Sequence, residues 1–158
     1  MASVMIPVAS FLTGLLGMEA VAWGTHRYLM HGPLWAWHRS HHEPGGRGPE
    51  LNDLFGLVFA GLALGLFWLG ARPDLRPLWW AAMGATAYGL LYALVHDGLV
   101  HRRFPFPVTA RRGYLLRLVQ AHHLHHISQE RDGAVSFGFL WAQDPERLRG
   151  QLRARRAT

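Results

Sequence analysis

All eleven histidines of this 158-residue chain lie in four tight clusters. The clusters follow the spacings H-x4-H, H-x2-H-H, H-x4-H and H-x2-H-H, so the second half of the pattern repeats the first. Neutral imidazole is the commonest metal ligand in proteins, and one ion rarely takes more than six ligands. Ten imidazoles in this register therefore predict a site for two metal ions. The predicted ligands are His26, His31, His38, His41, His42, His96, His101, His122, His125 and His126.

The two kinds of cluster place different demands on a helix. Histidines spaced H-x2-H-H share one helical face, because residues three and four positions apart are neighbours on a helix surface. Five residues turn an ideal α-helix by about 140°, so an H-x4-H pair cannot share an ideal face. We therefore expect a helix end, a bulge or a break between His26 and His31 and between His96 and His101. His123 points about 100° away from His122 and is predicted not to be a ligand.

An all-imidazole ligand set suits iron, zinc, copper or nickel. Structural zinc is satisfied by four ligands, whereas a catalytic centre keeps positions open. The sequence ranks a di-iron centre first and a di-zinc centre second. Metal-bound imidazoles usually donate their second N–H to an acceptor that orients the ring. The acidic residues expected to do this are Glu19, Glu43, Asp53 and Asp97.

The composition is that of a membrane protein. Half of the residues are hydrophobic, 16% are charged and none is cysteine, which excludes disulfides and thiolate metal sites built by this chain alone. Apolar stretches at about 4–23, 54–70 and 78–95 approach the roughly 20 residues that span a bilayer. We expect an all-α integral membrane bundle of three to four spans, with a surface or fourth helix at about 114–126, in one domain covering 1–158. The first stretch is interpreted as a retained helix, since no basic residue precedes Arg27.

The order of the helices predicts that all four histidine clusters meet on one side of the membrane. Two clusters follow the first span, and a hairpin of the next two spans returns the chain to the other two. All sixteen basic residues are arginine, and only Arg72 and Arg76 lie in the opposite loop. By the positive-inside rule, the histidine-rich cap is expected to face the cytoplasm from the inner membrane. The net charge of +6 comes with no nucleic-acid-binding motif, so no nucleic-acid partner is expected.

The segments around the clusters resemble those of a known enzyme family. They read GMEAVAWGTHRYLMHGPLWAWHRSHHEP, NDLFGLVFA, AYGLLYALVHDGLVHRRFPF, AHHLHH and VSFGFL. The histidine spacing is similar to that of the fatty acid hydroxylase superfamily of non-haem di-iron membrane enzymes. The sequence between the histidines, such as VHDGLVH and VSFGFL, resembles that of the bacterial β-carotene hydroxylase branch over about residues 17–141. His123 departs from that branch and leaves the ten ligand positions intact.

The resemblance implies an O2-dependent monooxygenase with the ten histidines as iron ligands and a reduced ferredoxin-type protein as electron donor. The implied reaction hydroxylates the β-ionone rings of β-carotene at C3 and C3′, giving zeaxanthin by way of β-cryptoxanthin. A purified sample could also hold zinc. Such a substrate dissolves in lipid, so aromatic residues of the spans are candidate walls of a substrate channel. They are Phe55, Phe59, Trp68, Trp79, Tyr88 and Tyr92.

Two alternatives remain open at this point. The same chemistry could act on another lipid, such as a 4-keto carotenoid, a fatty acyl chain or a sterol. A non-catalytic membrane metal carrier is also compatible with clustered histidines, but it predicts charged residues inside the spans. The second and third apolar stretches contain no charge. The sequence leaves the oligomeric state, the physiological donor and the product stereochemistry undetermined.

Overall fold

The computed structural model describes residues 2–43, 48–105 and 109–156, and these residues form helices and loops without a β-strand. The all-α prediction is therefore confirmed. In chain order the helices are α1 (Ala2–Gly24), the π-helical turn π1 (Thr25–Met30), α2 (Trp35–His42), α3 (Asp53–Gly70), a 3-10 turn (Pro73–Leu75), α4 (Arg76–Tyr92), the π-helical turn π2 (Ala93–Val100), α5 (Gly113–His125) and α6 (Pro145–Arg156).

Three helical segments are long and apolar enough to cross a membrane. They are Val4–Met30, Asp53–Gly70 and Pro73–Val100. Helix α5 has 13 residues and is too short to be a fourth, so the described part of the chain offers three spans. Large apolar side chains on these segments face outward, including Leu57 at 69% exposure and Trp68 at 76%. An outer surface of this kind is stable in lipid and unfavourable in water.

Helix α4 lies between α1 and α3 and contacts both. Its approach to α1 is close because glycine faces backbone on each side. A Cβ atom on Gly84 would overlap the carbonyl oxygen of Phe11, and one on Gly14 would overlap that of Ala81. Small residues at such crossings let membrane helices pack backbone against backbone. This contact fixes α1 against α4, and thus fixes the two π-helical turns that continue them.

A compact cap covers the end of the bundle where α1 and α4 run into π1 and π2. Its apolar core combines residues of π2, α5, the following loop and α6: Val100, Leu118, Ala121, Leu124, Val135, Phe139, Ala142 and Leu148. The basic helix α6 begins where the Asp144 carboxylate accepts hydrogen bonds from the amides of Glu146 and Arg147. Leu148 is fully buried, so α6 is packed onto α5 as part of the cap.

Candidate metal centre

Both H-x4-H pairs lie on the π-helical turns. The amide of His31 donates to the carbonyl of His26 at 3.0 Å, and the amide of His101 donates to that of His96 at 2.9 Å. This i→i+5 bond is the defining bond of a π-helix, which holds more residues per turn than an α-helix. Residues five apart then lie on nearly the same face. The expected departure from ideal α geometry is therefore a π-helical turn at each pair.

The structure brings nine of the ten predicted ligands into two adjacent groups, in each of which the ligating nitrogens all lie within 4.8 Å of one another. The five-imidazole group contains His26, His31, His38, His42 and His125. The four-imidazole group contains His41, His96, His101 and His122. The tenth residue, His126, borders both groups. Its Nε2 lies 2.9 Å from that of His122, and its ring stacks on His42 with centroids 4.5 Å apart. His123 is exposed.

Most of these rings are fixed through Nδ1, which donates outward to an oxygen atom. Four acceptors are backbone carbonyls of the loop 128–137, and three are side chains. The pairs are His26 to Phe137 (3.0 Å), His31 to Arg131 (2.8 Å), His42 to Ser128 (2.8 Å), His125 to Val135 (2.9 Å), His38 to Asn52 (2.7 Å), His41 to Glu50 (3.0 Å) and His96 to Asp97 (2.8 Å). Because a carbonyl or carboxylate oxygen only accepts, these bonds place the proton on Nδ1 and leave a lone pair on Nε2.

The Nε2 atoms point at one another. Those of His26 and His38 lie 3.1 Å apart, those of His31 and His125 3.2 Å apart, and those of His41 and His96 3.0 Å apart. Two lone pairs at this separation repel, whereas a cation between them is attracted to both. Metal–nitrogen bonds of about 2.1 Å at right angles put neighbouring ligands about 3.0 Å apart. The spacing and the nitrogen-only ligand set therefore fit two ions of the iron, zinc, copper or nickel type.

Burial keeps these imidazoles in the neutral form that binds metals. It lowers the pKa of His38 to about 3 and the pKa values of His42 and His101 to about 4. Burial also lowers the pKa of His41, His122 and His125, and neighbouring imidazoles add to the effect. A charged imidazole is costly in this environment. Near neutral pH the rings therefore offer lone pairs without first losing a proton.

The predicted acidic residues near the clusters occupy different places. Asp97 accepts directly from His96, as described above. Among the described residues, Asp53 accepts no hydrogen bond from an imidazole. Its carboxylate accepts from the amide of Glu50 at 2.9 Å and from the guanidinium of Arg103 at 2.7 Å. Glu43 is exposed and pairs with Arg39 at 2.6 Å, away from the imidazoles. Of these three, only Asp97 directly orients a ring.

Glu19 contacts the loop that follows the ring acceptors, rather than an imidazole. Its carboxylate accepts the amides of Phe139, Leu140 and Trp141 at 2.8 to 3.0 Å. The hydroxyl of Tyr88 donates to the same carboxylate at 2.7 Å. Glu19 thus ties the 139–141 segment to α1 and α4. The prediction that Glu19 orients a histidine directly is wrong. Its connection is indirect: Phe137 and Val135, whose carbonyls accept from His26 and His125, lie just before the segment that it holds.

Sequence reasoning missed two ring acceptors, Glu50 and Asn52. Both precede α3, and an Asn directly before a helix usually caps it. Asn52 does occupy the cap position, but its side chain makes no capping hydrogen bond and accepts from His38 instead. The partners are 14 and 9 residues apart in the chain, so no helical spacing connects them. The sequence carries no local signal for either role, because an Asn before a helix predicts a cap.

Two of the candidate channel residues lie at the centre. Tyr92 stacks on His96 with ring centroids 4.6 Å apart, and the buried Phe55 lies 6.5 Å from His38. Phe59 is one turn along α3, and Tyr88 is bound to Glu19. Trp68 and Trp79 lie near the hairpin loop, about 20 Å along the helices from the histidines at 1.5 Å per residue.

Further aromatic side chains border the imidazoles and were not predicted. Phe137 lies 5.2 Å from His31 and 5.4 Å from His125, measured between ring centroids. Phe139 lies 5.4 Å from His96. Trp35 covers the five-imidazole group from the side of α2, 5.2 Å from His31. The centre is therefore enclosed by aromatic rings as well as by its ring acceptors.

Membrane-length helices and two groups of inward-facing imidazoles define a class of membrane protein with a candidate two-metal site. The family model described as fatty acid hydroxylase matches residues 11–144, and the chain belongs to this family of enzymes. A protein named β-carotene hydroxylase from Pseudescherichia vulneris is 53% identical over 144 residues, covering 91% of this chain and 81% of its own length.

Further relatives carry similar names. A β-carotene hydroxylase from Paracoccus sp. (strain N81106 / MBIC 01143) is 48% identical over 157 residues, covering 97% of this chain and 92% of its own length. The chloroplastic β-carotene 3-hydroxylase 1 of Arabidopsis thaliana is 43% identical over 142 residues, covering 85% of this chain and 44% of the plant protein. No solved structure matches the chain significantly. The resemblance stated from the sequence is thus confirmed.

Proposed function

We propose that this chain is a β-carotene 3-hydroxylase, which hydroxylates C3 and C3′ of the β-ionone rings and forms zeaxanthin by way of β-cryptoxanthin. The observation that carries the proposal is the pair of imidazole groups with converging Nε2 atoms, in a chain about half identical to β-carotene hydroxylases over most of its length. Acid–base groups cannot break an unactivated C–H bond. Two bound iron ions would supply the activation of O2 that this reaction needs.

We further propose that the ten clustered histidines hold the two ions. The five-imidazole group would bind one and the four-imidazole group the other, with His126 at the border. Asp97, Glu50 and Asn52 would keep three of these rings in position, and the loop carbonyls would keep four more. Neutral, pre-oriented rings lose little freedom when the ion binds, which favours tight binding.

The aromatic residues at the centre are suited to a β-ionone ring. Phe55 and Tyr92 come from the membrane-spanning segments, and Phe137 and Phe139 come from the loop above them. Together they would form an apolar passage from the bilayer to the imidazoles, so that one ring reaches the metal while the polyene remains in lipid. Apolar walls with few polar groups are typical of binding sites for such substrates.

We propose that the centre faces the cytoplasm of a cell with the chain in its inner membrane, and that a ferredoxin-type protein delivers electrons there. Support comes from the arginines of the histidine end, among them the exposed Arg102, Arg111 and Arg112. Basic residues on the cytoplasmic side set the orientation of membrane proteins and attract an acidic partner.

The proposed reaction is tested by expressing the chain in bacteria that accumulate β-carotene. We expect zeaxanthin, with β-cryptoxanthin as an intermediate, in pigment extracts separated by liquid chromatography. His125→Ala should abolish both products, because His125 lies at the centre of the five-imidazole group. The matched control is His123→Ala, which removes an exposed imidazole and should leave the product unchanged.

Absence of both hydroxylated pigments, with wild-type protein present in the membrane fraction, would contradict the proposed substrate. A parallel strain that makes a 4-keto carotenoid separates the alternatives. Hydroxylation in that strain alone would point to a keto-substituted ring as the true substrate.

A further inference from the structure

Arg103 connects carboxylates that reach two rings of the same metal-binding group. Its guanidinium donates to both carboxylate oxygens of Asp53 at 2.7 Å, and it lies 3.5 Å from Asp97. A third hydrogen bond reaches the carbonyl of Gly48 at 3.1 Å. The side chain is only 16% exposed, so its charge interacts mainly with these neighbouring groups and little with solvent. A bidentate arginine–carboxylate pair of this kind fixes the orientation of both side chains and stabilises their charges.

Two paths lead from Arg103 to imidazoles. Asp97 accepts from Nδ1 of His96 at 2.8 Å. Asp53 accepts the amide of Glu50, whose own carboxylate accepts from Nδ1 of His41 at 3.0 Å. Both rings belong to the four-imidazole group, and their Nε2 atoms lie 3.0 Å apart.

The five-imidazole group is held by other atoms. Its acceptors are the carbonyls of Ser128, Arg131, Val135 and Phe137 and the side-chain oxygen of Asn52. Arg103 makes no hydrogen bond to these acceptors among the described residues. A change at Arg103 should therefore act on one group and leave the other in place.

Charge explains why the arginine is needed. Glu50, Asp53 and Asp97 bring three carboxylates close together at one end of α3. Their mutual repulsion would turn them towards solvent if no cation lay between them. The guanidinium keeps them beside the rings that two of them orient.

We propose that Arg103 is a positioning residue for one of the two metal ions, and that its loss empties the four-imidazole group while the five-imidazole group stays loaded. The inference rests on the proposed two-metal centre. Arg103 does not touch the ion; it acts through Asp97 and through Asp53 with Glu50.

The test counts metal ions on the purified full-length protein in detergent. Metal-free protein is loaded with ferrous iron without oxygen, desalted and measured by mass spectrometry for iron per chain. We expect two ions on the wild type and one on Arg103→Met. Arg103→Lys should give an intermediate value, since a lysine cannot form a bidentate pair with Asp53. Arg72→Met is the matched control, because it breaks an arginine–aspartate pair in the distant loop and should retain two.

A second variant identifies which ion is lost. The double substitution His31→Ala/His125→Ala removes two ligands of the five-imidazole group and should retain one ion. Adding Arg103→Met to it should remove the last. Circular dichroism and gel filtration check that each variant is folded.

Two ions on Arg103→Met, or one ion left on the triple variant, would overturn the inference alone. Loss of both ions from folded Arg103→Met would overturn its selectivity. A wild type that binds no iron would overturn the two-metal centre, and the inference with it.

Discussion

The two imidazole groups differ in the chemistry of the atoms that hold their rings. Carbonyl oxygens and one amide oxygen serve the five-imidazole group, whereas the carboxylates of Glu50 and Asp97 serve the four-imidazole group. A carboxylate acceptor makes the imidazole more basic and a stronger ligand. The surroundings of the two proposed metal positions are therefore not equivalent.

The ring acceptors near α3 should affect metal affinity, because each of them orients one imidazole. Asn52→Ala and Glu50→Ala each leave one Nδ1 without its acceptor, so we expect a 10- to 100-fold weaker metal affinity and a similar loss of pigment formation, roughly the range for such partners. The measurements are iron titration of the metal-free protein and pigment analysis. Glu43→Ala is the control, because Glu43 is exposed and, within the described part of the chain, its ion pair is with Arg39. Equal losses in all three variants would refute the assignment.

At the scale of helices, the π-helical turns bring the two histidines of each H-x4-H pair onto nearly the same face. Helices α1 and α4 must present apolar side chains to lipid along their length and then two imidazoles to one point. An α-helix cannot do this with histidines five apart, but the i→i+5 turns at Thr25–Met30 and Ala93–Val100 can. Turns of this kind are frequent at functional sites. Their hydrogen bonds join the two histidines of each pair directly.

Glu19 connects the membrane helices to the loop that holds the five-imidazole group. Glu19→Gln replaces one carboxylate oxygen by an NH2 group that faces donors, so at least one amide of the 139–141 segment loses its acceptor. Hydrogen bonds to charged groups contribute about 1.5–3 kcal/mol each. We expect a lower melting temperature and weaker iron binding, measured by thermal unfolding and iron titration in detergent.

The control for this substitution is Glu130→Gln, at an exposed residue of the same loop region. Unchanged unfolding and iron binding in Glu19→Gln would show that the carboxylate charge is not needed to hold the loop.

At the scale of the whole molecule, the proposed orientation can be tested with single cysteines, because the chain contains none. Ala71 lies in the loop between α3 and α4, and Thr109 lies at the histidine end; both are exposed. In intact cells a membrane-impermeant maleimide should label Ala71→Cys and should reach Thr109→Cys only after the membrane is permeabilised. The reverse pattern would place the histidines outside the cytoplasm.

Much of this arrangement could be predicted from the sequence because it depends on local periodicity. Hydropathy predicts the three spans, and their order brings the four clusters to one end. The H-x4-H spacing even requires a departure from α geometry, although it does not distinguish a π turn from a helix end. The ring acceptors could not be predicted, since Glu50, Asn52 and the loop carbonyls meet their histidines only through tertiary folding. Glu19 illustrates the same limit: the sequence predicts that it orients a ring, but its carboxylate binds Tyr88 and backbone amides 120 to 122 residues away.

The loop 128–137 contributes to the centre through its main chain. Four imidazoles are oriented by carbonyls that every amino acid possesses, while the side chains of Gln129, Glu130 and Arg131 remain exposed. Substitutions at these three exposed positions should therefore keep the same site, whereas Val135, which is buried, and Phe137, whose ring lies against His31 and His125, are constrained by packing. A single deletion in the loop, by contrast, would move several of the four carbonyls at once. Substitution scanning of the exposed positions would rate them as unimportant, although the main chain of this loop orients four of the ten proposed metal ligands.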